Sequence, residues 1–164
     1  SPLAYLLLLL QCHYRTPMSF SIEAVGAAEE ALRGLYRDLS SLPEGGQPDK
    51  KMVEKFEEAL NDDLNTSRAV AVIFETLKSD INPSDKLATA LKFDEVLGLK
   101  LKEGADLIKK EEAELPMAIK NLLAEREVAR KNNQFERADM LRAEINNLGY
   151  AVEDTATGPK LSKK

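Results

Sequence analysis

The stretch FEEALNDDLNTSRAVAVIFE, from Phe56 to Glu75, predicts two helices joined by a tight corner. On both sides of the corner, apolar residues recur every three or four positions, the spacing that places them on one face of a helix. They are Phe56, Ala59, Leu60 and Leu64 before the corner, and Val70, Ile73, Phe74 and Leu77 after it. Both faces therefore need burial in one core, and the rest of the chain is expected to complete it.

The corner itself is polar. Asp62, Asp63 and Asn65 carry side chains that bond nearby backbone groups and favour turns, while Thr66 or Ser67 can accept a hydrogen bond from the first free amides of the second helix. Two adjacent carboxylates could also act as acid and base, but beside Asn and Thr at a helix end the capping role is favoured. We therefore interpret Asp62, Asp63, Asn65 and Thr66 as a structural corner.

The composition of the 164 residues favours a helical protein. Apolar residues make up 43% of the chain and aromatic residues only 5%, with no Trp. Ala, Leu, Glu and Lys are abundant, as they are in helical domains. The single Cys12 excludes an internal disulfide framework and offers no pair for a zinc site. We expect a reducing, cytoplasmic setting.

Residues 1–98 are predicted to form an antiparallel bundle of about five helices. The first helix covers residues 2–12 and is apolar nearly all round. The second begins after Ser21, a suitable N-cap, and runs to about Leu42 with an apolar stripe. A connector rich in Pro and Gly, residues 43–49, leads into the corner helices.

The bundle is expected to close with a helix that has Pro83 in its first turn and ends at Gly98. Residues 99–116 are dense in charge and are predicted to link the bundle to a second unit. A short helix starting near Gly104 is the alternative for this segment.

The apolar run Leu6–Leu10 is not interpreted as a targeting or membrane segment. No Lys or Arg precedes it and no small-residue cleavage site follows it. It is far shorter than the about 18 apolar residues that span a bilayer, so we expect no membrane partner. Because the chain opens with Ser1-Pro2, we also expect a fragment whose first helix packs on a part outside it.

After residue 116 the chain is predicted to form a small α+β unit. Two helices, Met117–Arg130 and Phe135–Leu148, are joined by a polar corner, and Gly149 stops the second one. Their inner sides are expected to carry Ile119, Leu122 and Leu123 in the first helix and Ala138, Leu141, Ile145 and Leu148 in the second. The alternating segment Tyr150–Asp154 and the turn residues at 157–159 predict a short β-hairpin. The expected fold class is therefore mainly α, an antiparallel helical bundle followed by a small α+β unit.

The net charge of −5 is unevenly distributed. Residues 1–116 contain 14 Lys and Arg against 21 Asp and Glu, whereas residues 117–164 contain 9 against 7. Because only the last third of the chain has an excess of positive charge, we expect a polyanion to bind there.

The sequence contains no catalytic constellation: it has no Cys/His cluster, no Gly-rich phosphate loop and no Gly-x-Ser-x-Gly turn. The lone His13 is interpreted as a packing or hydrogen-bonding residue.

The terminal unit instead suggests a nucleic-acid surface. Arg and Lys neutralise phosphates, an exposed Phe stacks on an unpaired base, and Asp accepts from base amino or imino groups. The candidate residues are Arg126, Arg130, Lys131, Phe135, Arg137, Asp139, Arg142 and Asp154. On spacing alone, the alternative to a nucleic-acid surface is favoured. In that alternative Phe135 is packed in the core and the charged residues form a solvated face with pairs such as Glu127 with Lys131.

Three segments match, in order, the motifs of one family. His13–Ser21 reads HYRTPMSFS, where the family motif is H-Y-R-S-P-L-N-Y-S. Phe56–Phe74 reads FEEALNDDLNTSRAVAVIF, where the family motif is F-x-x-A-M-x-D-D-x-N-T-x-x-A-x-x-x-x-F. Residues 125–154, E-R-x-x-A-R-K-x-x-x-F-x-x-A-D-x-L-R-x-x-I-x-x-x-G-Y-x-V-E-D, resemble the terminal segment of that family. By these matches, which span nearly the whole chain, the sequence resembles the cysteinyl-tRNA synthetases.

The resemblance implies a DALR-type helical bundle over residues 1–98, a linker over 99–116 and an anticodon-binding unit with a basic tail over 117–164. It places Arg130, Phe135, Asp139 and Asp154 at the anticodon bases, and Arg126, Lys131, Arg137 and Arg142 along the tRNA backbone. Phe135 stands where some members have Trp, which keeps a stacking surface and loses the indole donor. The family's G-T-x-W ending is replaced here by Gly158-Pro159-Lys160-Leu161.

The resemblance also implies tRNA(Cys) and a catalytic domain as partners, a monomer, and a parent class I enzyme that ligates cysteine to tRNA. ATP and zinc are expected in an N-terminal part outside this chain, and no cofactor is expected on the chain itself. The tail Lys160–Lys164, which reads KLSKK, resembles the letters of the KMSKS loop, but in the family that loop belongs to the N-terminal part, so we interpret the likeness as coincidental.

Two alternatives remain open. One is a helical protein-interaction module without an RNA role. The other is the helical part of a ligase that joins cysteine to a sugar-inositol amine; such an enzyme needs no anticodon reader, so residues 117–154 argue against it.

Overall fold

A computed structural model describes residues 1–155 and 158–163, and the chain divides into two compact units, Ser1–Lys109 and Lys110–Lys164. The mainly α fold class is confirmed, with a short hairpin in the second unit. The elements of the described residues are α1 (Pro2–Leu10), α2 (Ile22–Ser40), α3 (Lys50–Asn61), α4 (Thr66–Lys78), α5 (Pro83–Leu97), α6 (Leu101–Glu114), α7 (Met117–Lys131), α8 (Phe135–Asn147), β1 (Tyr150–Thr155) and β2 (Gly158–Lys163).

The core of the first unit forms where α3, α4 and α5 pack around two aromatic rings. Phe56 of α3 and Phe93 of α5 stack with their centroids 4.3 Å apart and their planes 9° apart. Both are buried, as are Ala59, Val70 and Ile73 from the faces predicted to point inwards. Each large apolar side chain buried in this way contributes about 1.5–3 kcal/mol to folding. The periodicity of the corner helices therefore predicted the centre of the core correctly.

Helix α1 is apolar nearly all round, as predicted, but only part of its surface is buried. Ser1 caps it, with the Ala4 amide donating to Ser1 Oγ at 3.3 Å. Ala4 and Leu7 are buried, whereas Tyr5 and Leu9 are exposed. With nine residues α1 is too short to cross a bilayer, and no other helix of the described chain combines the necessary length and apolar character.

Three of the predicted helix ends are confirmed. The Ala24 amide donates to Ser21 Oγ at 3.1 Å, so Ser21 is the N-cap of α2. Pro83 begins α5 directly after Asn82, which caps it, and Gly98 follows the helix at a left-handed φ of 67°. Such ends depend on the chemistry of neighbouring residues, which explains why the sequence alone predicts them.

The N-cap of α4 is Asn65, not Thr66 or Ser67 as predicted. The side-chain oxygen of Asn65 accepts a hydrogen bond from the Arg68 amide at 3.1 Å and another from the Ser67 hydroxyl at 2.8 Å. Thr66 and Ser67 already belong to the first turn of the helix. Asn is at least as good an N-cap as Thr, so the correction moves the cap by one residue without changing the character of the corner.

Two residues with positive φ reverse the chain between α3 and α4. Asp63 has a φ of 52° and Leu64 a φ of 53°. Asp tolerates this region, whereas a bulky Leu adopts it only when its surroundings impose it. Because α3 ends at Asn61, Leu64 lies outside the helix and is 62% exposed, contrary to the inward position that its spacing predicted. Asp62 forms an ion pair across the corner, with its Oδ2 at 3.6 Å from Arg68 Nη1.

The segment predicted as a linker, residues 99–116, consists mostly of helix α6. Leu101, Ala105 and Ile108 form a buried face at helical spacing, so the first compact unit extends to Lys109 rather than to residue 98. The charges that suggested a linker lie on the exposed side of this helix. Charge density alone was a poor guide because an amphipathic helix carries as much charge as a linker.

Side-chain hydrogen bonds secure the start of α6 to the bundle. Asp94 accepts from the amides of Leu99 and Leu101, both at 2.7 Å. The Tyr36 hydroxyl donates to the Leu99 carbonyl at 2.7 Å. Burial raises the pKa of Tyr36 to about 12, so this hydroxyl stays protonated as a donor at neutral pH.

The second unit combines α7 and α8 with the β1–β2 hairpin. Most of its predicted inner residues are buried: Ile119, Ala138, Leu141 and Ile145. Leu148 was also predicted to face inwards, but it is 51% exposed. It lies beyond the end of α8 at Asn147, just before Gly149 turns the chain at a φ of 86°. The predicted end of the helix at Gly149 is therefore confirmed, whereas the predicted inward position of Leu148 is wrong.

Strands β1 and β2 pair in an antiparallel register that sets Asp154 opposite Pro159. Val152 of β1 is buried. The predicted turn residue Thr157 lies outside the described residues, and so does Lys164 at the end of the tail. Residues 160–163 of that tail belong to β2.

Candidate nucleic-acid interface

Phe135 begins α8 and is 61% exposed. The turn before it is held by backbone hydrogen bonds: the Asn133 amide donates to the Arg130 carbonyl at 3.0 Å, and the Gln134 amide donates to the Ala129 carbonyl at 2.8 Å. Asn133 has a left-handed φ of 58°, which Asn tolerates better than most residues. This tight turn leaves the Phe135 ring outside the core. Of the two placements considered for this residue, the structure shows the exposed one.

Asp139 and Arg142 follow Phe135 on α8 at helical spacing, four and seven positions later, so the three residues share one face. All three are exposed, while Ala138 and Leu141 on the neighbouring face are buried. Within the part of the chain that the structure describes, neither Asp139 nor Arg142 has an ion-pair partner. The face therefore presents one aromatic ring, one acceptor and one cation to solvent.

Arg126 was predicted to contact the tRNA backbone, but the structure buries its side chain to 2% exposure. One terminal nitrogen, Nη2, donates to Asp154 Oδ1 at 3.0 Å and to Asp154 Oδ2 at 2.8 Å. The other, Nη1, donates to Glu127 Oε1 at 3.3 Å. The signal for burial was present in the sequence, because Arg126 lies seven positions after Ile119 and three before Ala129, on the buried face of α7.

Arg130, one turn after Arg126, also donates to Asp154 Oδ2. The side chains of Arg130 and Asp154 are each 40% exposed, so this end of the cluster reaches solvent. Hydrogen bonds from Arg126 are the main cause that lowers the pKa of Asp154 below its usual range, and the charge of Arg130 adds to the effect. Asp154 is therefore ionised at neutral pH and can only accept hydrogen bonds.

The remaining predicted cations are exposed. Nη2 of Arg137 in α8 lies 3.5 Å from Oε2 of Glu125 in α7. Because this ion pair is exposed to solvent, a phosphate could take the place of Glu125 at little cost in free energy. Lys131 has no ion-pair partner among the described residues. Glu127, suggested as a partner of Lys131, contacts Arg126 instead.

The chemistry of these side chains is compatible with single-stranded RNA. The Phe135 ring can stack on an unpaired base, and the exposed cations can neutralise phosphates. Asp139 and Asp154 carry carboxylates that can accept hydrogen bonds from amino or imino groups, and Arg130 carries donors beside Asp154. The structure brings together Arg130 and Asp154, and separately Phe135, Asp139 and Arg142.

In the first unit, the structure joins two of the sequence motifs at Asp63. Its Oδ1 accepts from the Tyr14 hydroxyl at 2.8 Å and from Arg15 Nη2 at 3.1 Å, and its Oδ2 lies 3.8 Å from His13 Nε2. The Arg15 amide donates to His13 Nδ1 at 3.3 Å, which leaves Nε2 on the side of Asp63. The hydrogen bond with Asp63 raises the pKa of Tyr14. Sequence reasoning placed these residues in separate motifs and did not predict the contact.

Two family models match the chain, one in each compact unit. Residues 55–102, which include the α3–α4 corner and α5, match the DALR domain. Residues 112–158, which include α7, α8 and β1, match the cysteinyl-tRNA ligase anticodon binding domain. Fold and site thus define a helical DALR domain followed by an anticodon-binding domain.

Curated relatives match over nearly the whole chain. Cysteine–tRNA ligase 1 of Burkholderia lata is 36% identical over 160 residues, which cover 98% of this chain and 33% of that protein. The cysteine–tRNA ligase of Novosphingobium aromaticivorans is 39% identical over 166 residues, covering 93% and 34%. That of Leptospira interrogans is 33% identical over 189 residues, covering 99% and 38%. The chain spans about a third of the length of these relatives, and it carries the DALR and anticodon-binding domains of the cysteine–tRNA ligase family.

Proposed function

We propose that the second unit of this chain binds tRNA(Cys) at its anticodon. In the parent protein the chain would hold the tRNA so that its acceptor end reaches a catalytic domain, which would join cysteine to it with ATP. The observation that carries the proposal is the exposed Phe135 ring at the α7–α8 turn, within residues that match an anticodon-binding domain.

The charges of the second unit support an RNA ligand. Lys131 and Arg142 are exposed cations without ion-pair partners among the described residues. Each phosphate that such a cation neutralises releases counterions, which makes the affinity fall as salt is added. Base stacking on an aromatic ring adds about 1–3 kcal/mol per base. Cations, ring and acceptors together favour an unpaired RNA loop over a duplex.

ATP and zinc belong, in this proposal, to a part of the parent protein outside this chain. Among the described residues there is no group of three His, Cys, Asp or Glu side chains that could hold a metal ion. We further expect the chain to be a monomer and to work in the cytoplasm.

Titration of the 164-residue chain with a tRNA(Cys) transcript at several salt concentrations tests the proposal. We expect binding that weakens with salt and is stronger than for a tRNA of another specificity. Arg142→Ala should reduce the slope of log affinity against log salt by about 0.7–0.9, as the loss of one phosphate contact does. Met140→Ala, which alters another exposed residue of the same helix, should leave both affinity and slope unchanged.

The rival functions give different results in the same titration. A helical protein-interaction module would bind no tRNA at any salt concentration. The helical part of a ligase acting on a sugar-inositol amine would also bind no tRNA, although the match of residues 112–158 to an anticodon binding domain already disfavours this alternative. Equal, salt-sensitive binding to every tRNA would support RNA binding and contradict anticodon reading.

A further inference from the structure

We infer that Arg126 is a positioning residue for RNA recognition, which holds the carboxylate of Asp154 in one place as an acceptor beside the donors of Arg130. The inference rests on the proposed function and deepens it, because it assigns specificity to a side chain that does not itself reach the RNA.

The geometry of the cluster leaves Asp154 one defined role. A carboxylate can accept about four hydrogen bonds, two on each oxygen. Arg126 donates to both oxygens and Arg130 donates to Oδ2. Within the described residues, the remaining acceptor capacity is therefore on Oδ1, and the 40% exposure of the side chain leaves it open to a ligand.

Arg130 supplies the complementary half of the surface. A guanidinium carries five N–H donors, and the contact with Asp154 uses Nη1. With 40% of its side chain exposed, Arg130 can donate to a ligand while it remains paired. An exposed donor next to an exposed acceptor matches the edge of an unpaired base, where donors and acceptors lie side by side.

A contribution to stability does not by itself explain why an Arg occupies the buried position 126. Its neighbours on the inner face of α7, Ile119 and Ala129, are apolar and buried. Its Nε is buried without a hydrogen-bond partner, which is costly. Buried ion pairs can often be replaced by apolar residues of similar volume with no loss of stability. The contacts of Arg126 with Asp154 instead hold an exposed carboxylate in a single orientation.

The ionisation state of Asp154 supports the same role. Arg126 keeps the pKa of Asp154 below its usual range. The carboxylate is then an acceptor only, so it rewards a base that offers a donor and penalises one that offers an acceptor.

The test compares affinities of the full 164-residue chain for tRNA(Cys) and for transcripts changed singly at each anticodon position. For Arg126→Met, which fills similar volume without charge, we expect the discrimination at one anticodon position to fall about tenfold or more, the scale of one base contact. Discrimination at the other positions should remain. The matched control is Arg137→Met, which removes an exposed cation and should weaken all transcripts equally.

Asp154→Glu provides a second variant if Arg126→Met does not fold. It alters an exposed residue and keeps the charge, but it moves the carboxylate by one methylene from the place set by Arg126. It should lower discrimination at the same position. If either folded variant loses affinity equally for all transcripts, or keeps the original discrimination, the positioning role is wrong while the proposed function stands. If the unmodified chain does not discriminate between transcripts, the proposed function itself fails.

Discussion

The hydroxyl of Tyr14 donates to Oδ1 of Asp63 at 2.8 Å and thereby links two segments that are 49 residues apart in sequence. Arg15 reinforces the link, since its Nη2 lies 3.1 Å from the same oxygen and its Nε donates to the Tyr14 hydroxyl at 2.9 Å. The corner at Asp63 is thus more than a local turn. It also anchors the segment between α1 and α2.

We predict that Asp63→Asn weakens this anchor without affecting RNA binding. Asn adopts positive φ as readily as Asp, so the change removes the charge and leaves the turn intact. Because the side chain is 45% exposed, the loss of stability should be only about 0.5–1 kcal/mol, measured by denaturant unfolding. A double-mutant cycle with Tyr14→Phe should show coupling between the two residues. Unchanged stability together with lost tRNA binding would instead make the corner a contact surface.

Phe135→Ala should lower the affinity for tRNA(Cys) by about 1–3 kcal/mol, because it removes the stacking surface. The salt dependence should not change, since no charge is lost, and neither should the melting temperature, since the ring is 61% exposed. Filter binding or fluorescence titration at two salt concentrations measures both. Phe135→Trp should bind at least as tightly. An unaltered affinity for the Ala variant would show that the ring does not touch RNA.

Replacement of Asp154 should affect stability in a pH-dependent way. The pKa of Asp154 is lowered in the folded chain, first by its hydrogen bond with Arg126. Such a group stabilises the fold above its unfolded pKa of about 3.9 and loses that contribution as pH falls through the lower folded value. The difference in stability between the original chain and Asp154→Asn should therefore be constant near neutral pH and shrink below about pH 4.

This difference can be followed in the second unit alone through thermal melting of the NMR signals of Val152, which is buried in β1. A difference that already disappears near neutral pH, or that persists in strong acid, would contradict the assignment of the lowered pKa.

Gly104→Ala should destabilise the first unit by about 1–3 kcal/mol, the usual cost of overpacking. A Cβ at this position would lie 2.4 Å from ring atoms of Tyr36, and the hydroxyl of that ring is tied to Leu99. Gly26→Ala is the control, because a Cβ there meets nothing within 4 Å and α2 should gain about 0.5–1 kcal/mol. Chemical denaturation measures both. Equal stability of the two variants would mean that α6 does not pack on Tyr36 in solution.

The helices and most of their ends could be predicted from the sequence by itself, because they depend on interactions between residues close in the chain. The spacing of Phe56, Ala59, Val70 and Ile73 predicted the buried faces, and Ser21 and Gly149 marked where helices begin and end. The motifs were also sufficient to indicate the cysteine–tRNA ligase family. Predictions failed where local patterns were ambiguous, as at the cap of α4 and in the charged segment that forms α6.

Only the tertiary structure decided which distant side chains meet. Tyr14 and Asp63, and likewise Arg126 and Asp154, belong to different elements, and their pairing depends on how those elements pack. The same packing converted Arg126 from an expected phosphate contact into a buried partner of Asp154, and it left Phe135 exposed at the turn. Periodicity specifies the face of a helix on which a residue lies, whereas packing determines what that face contacts.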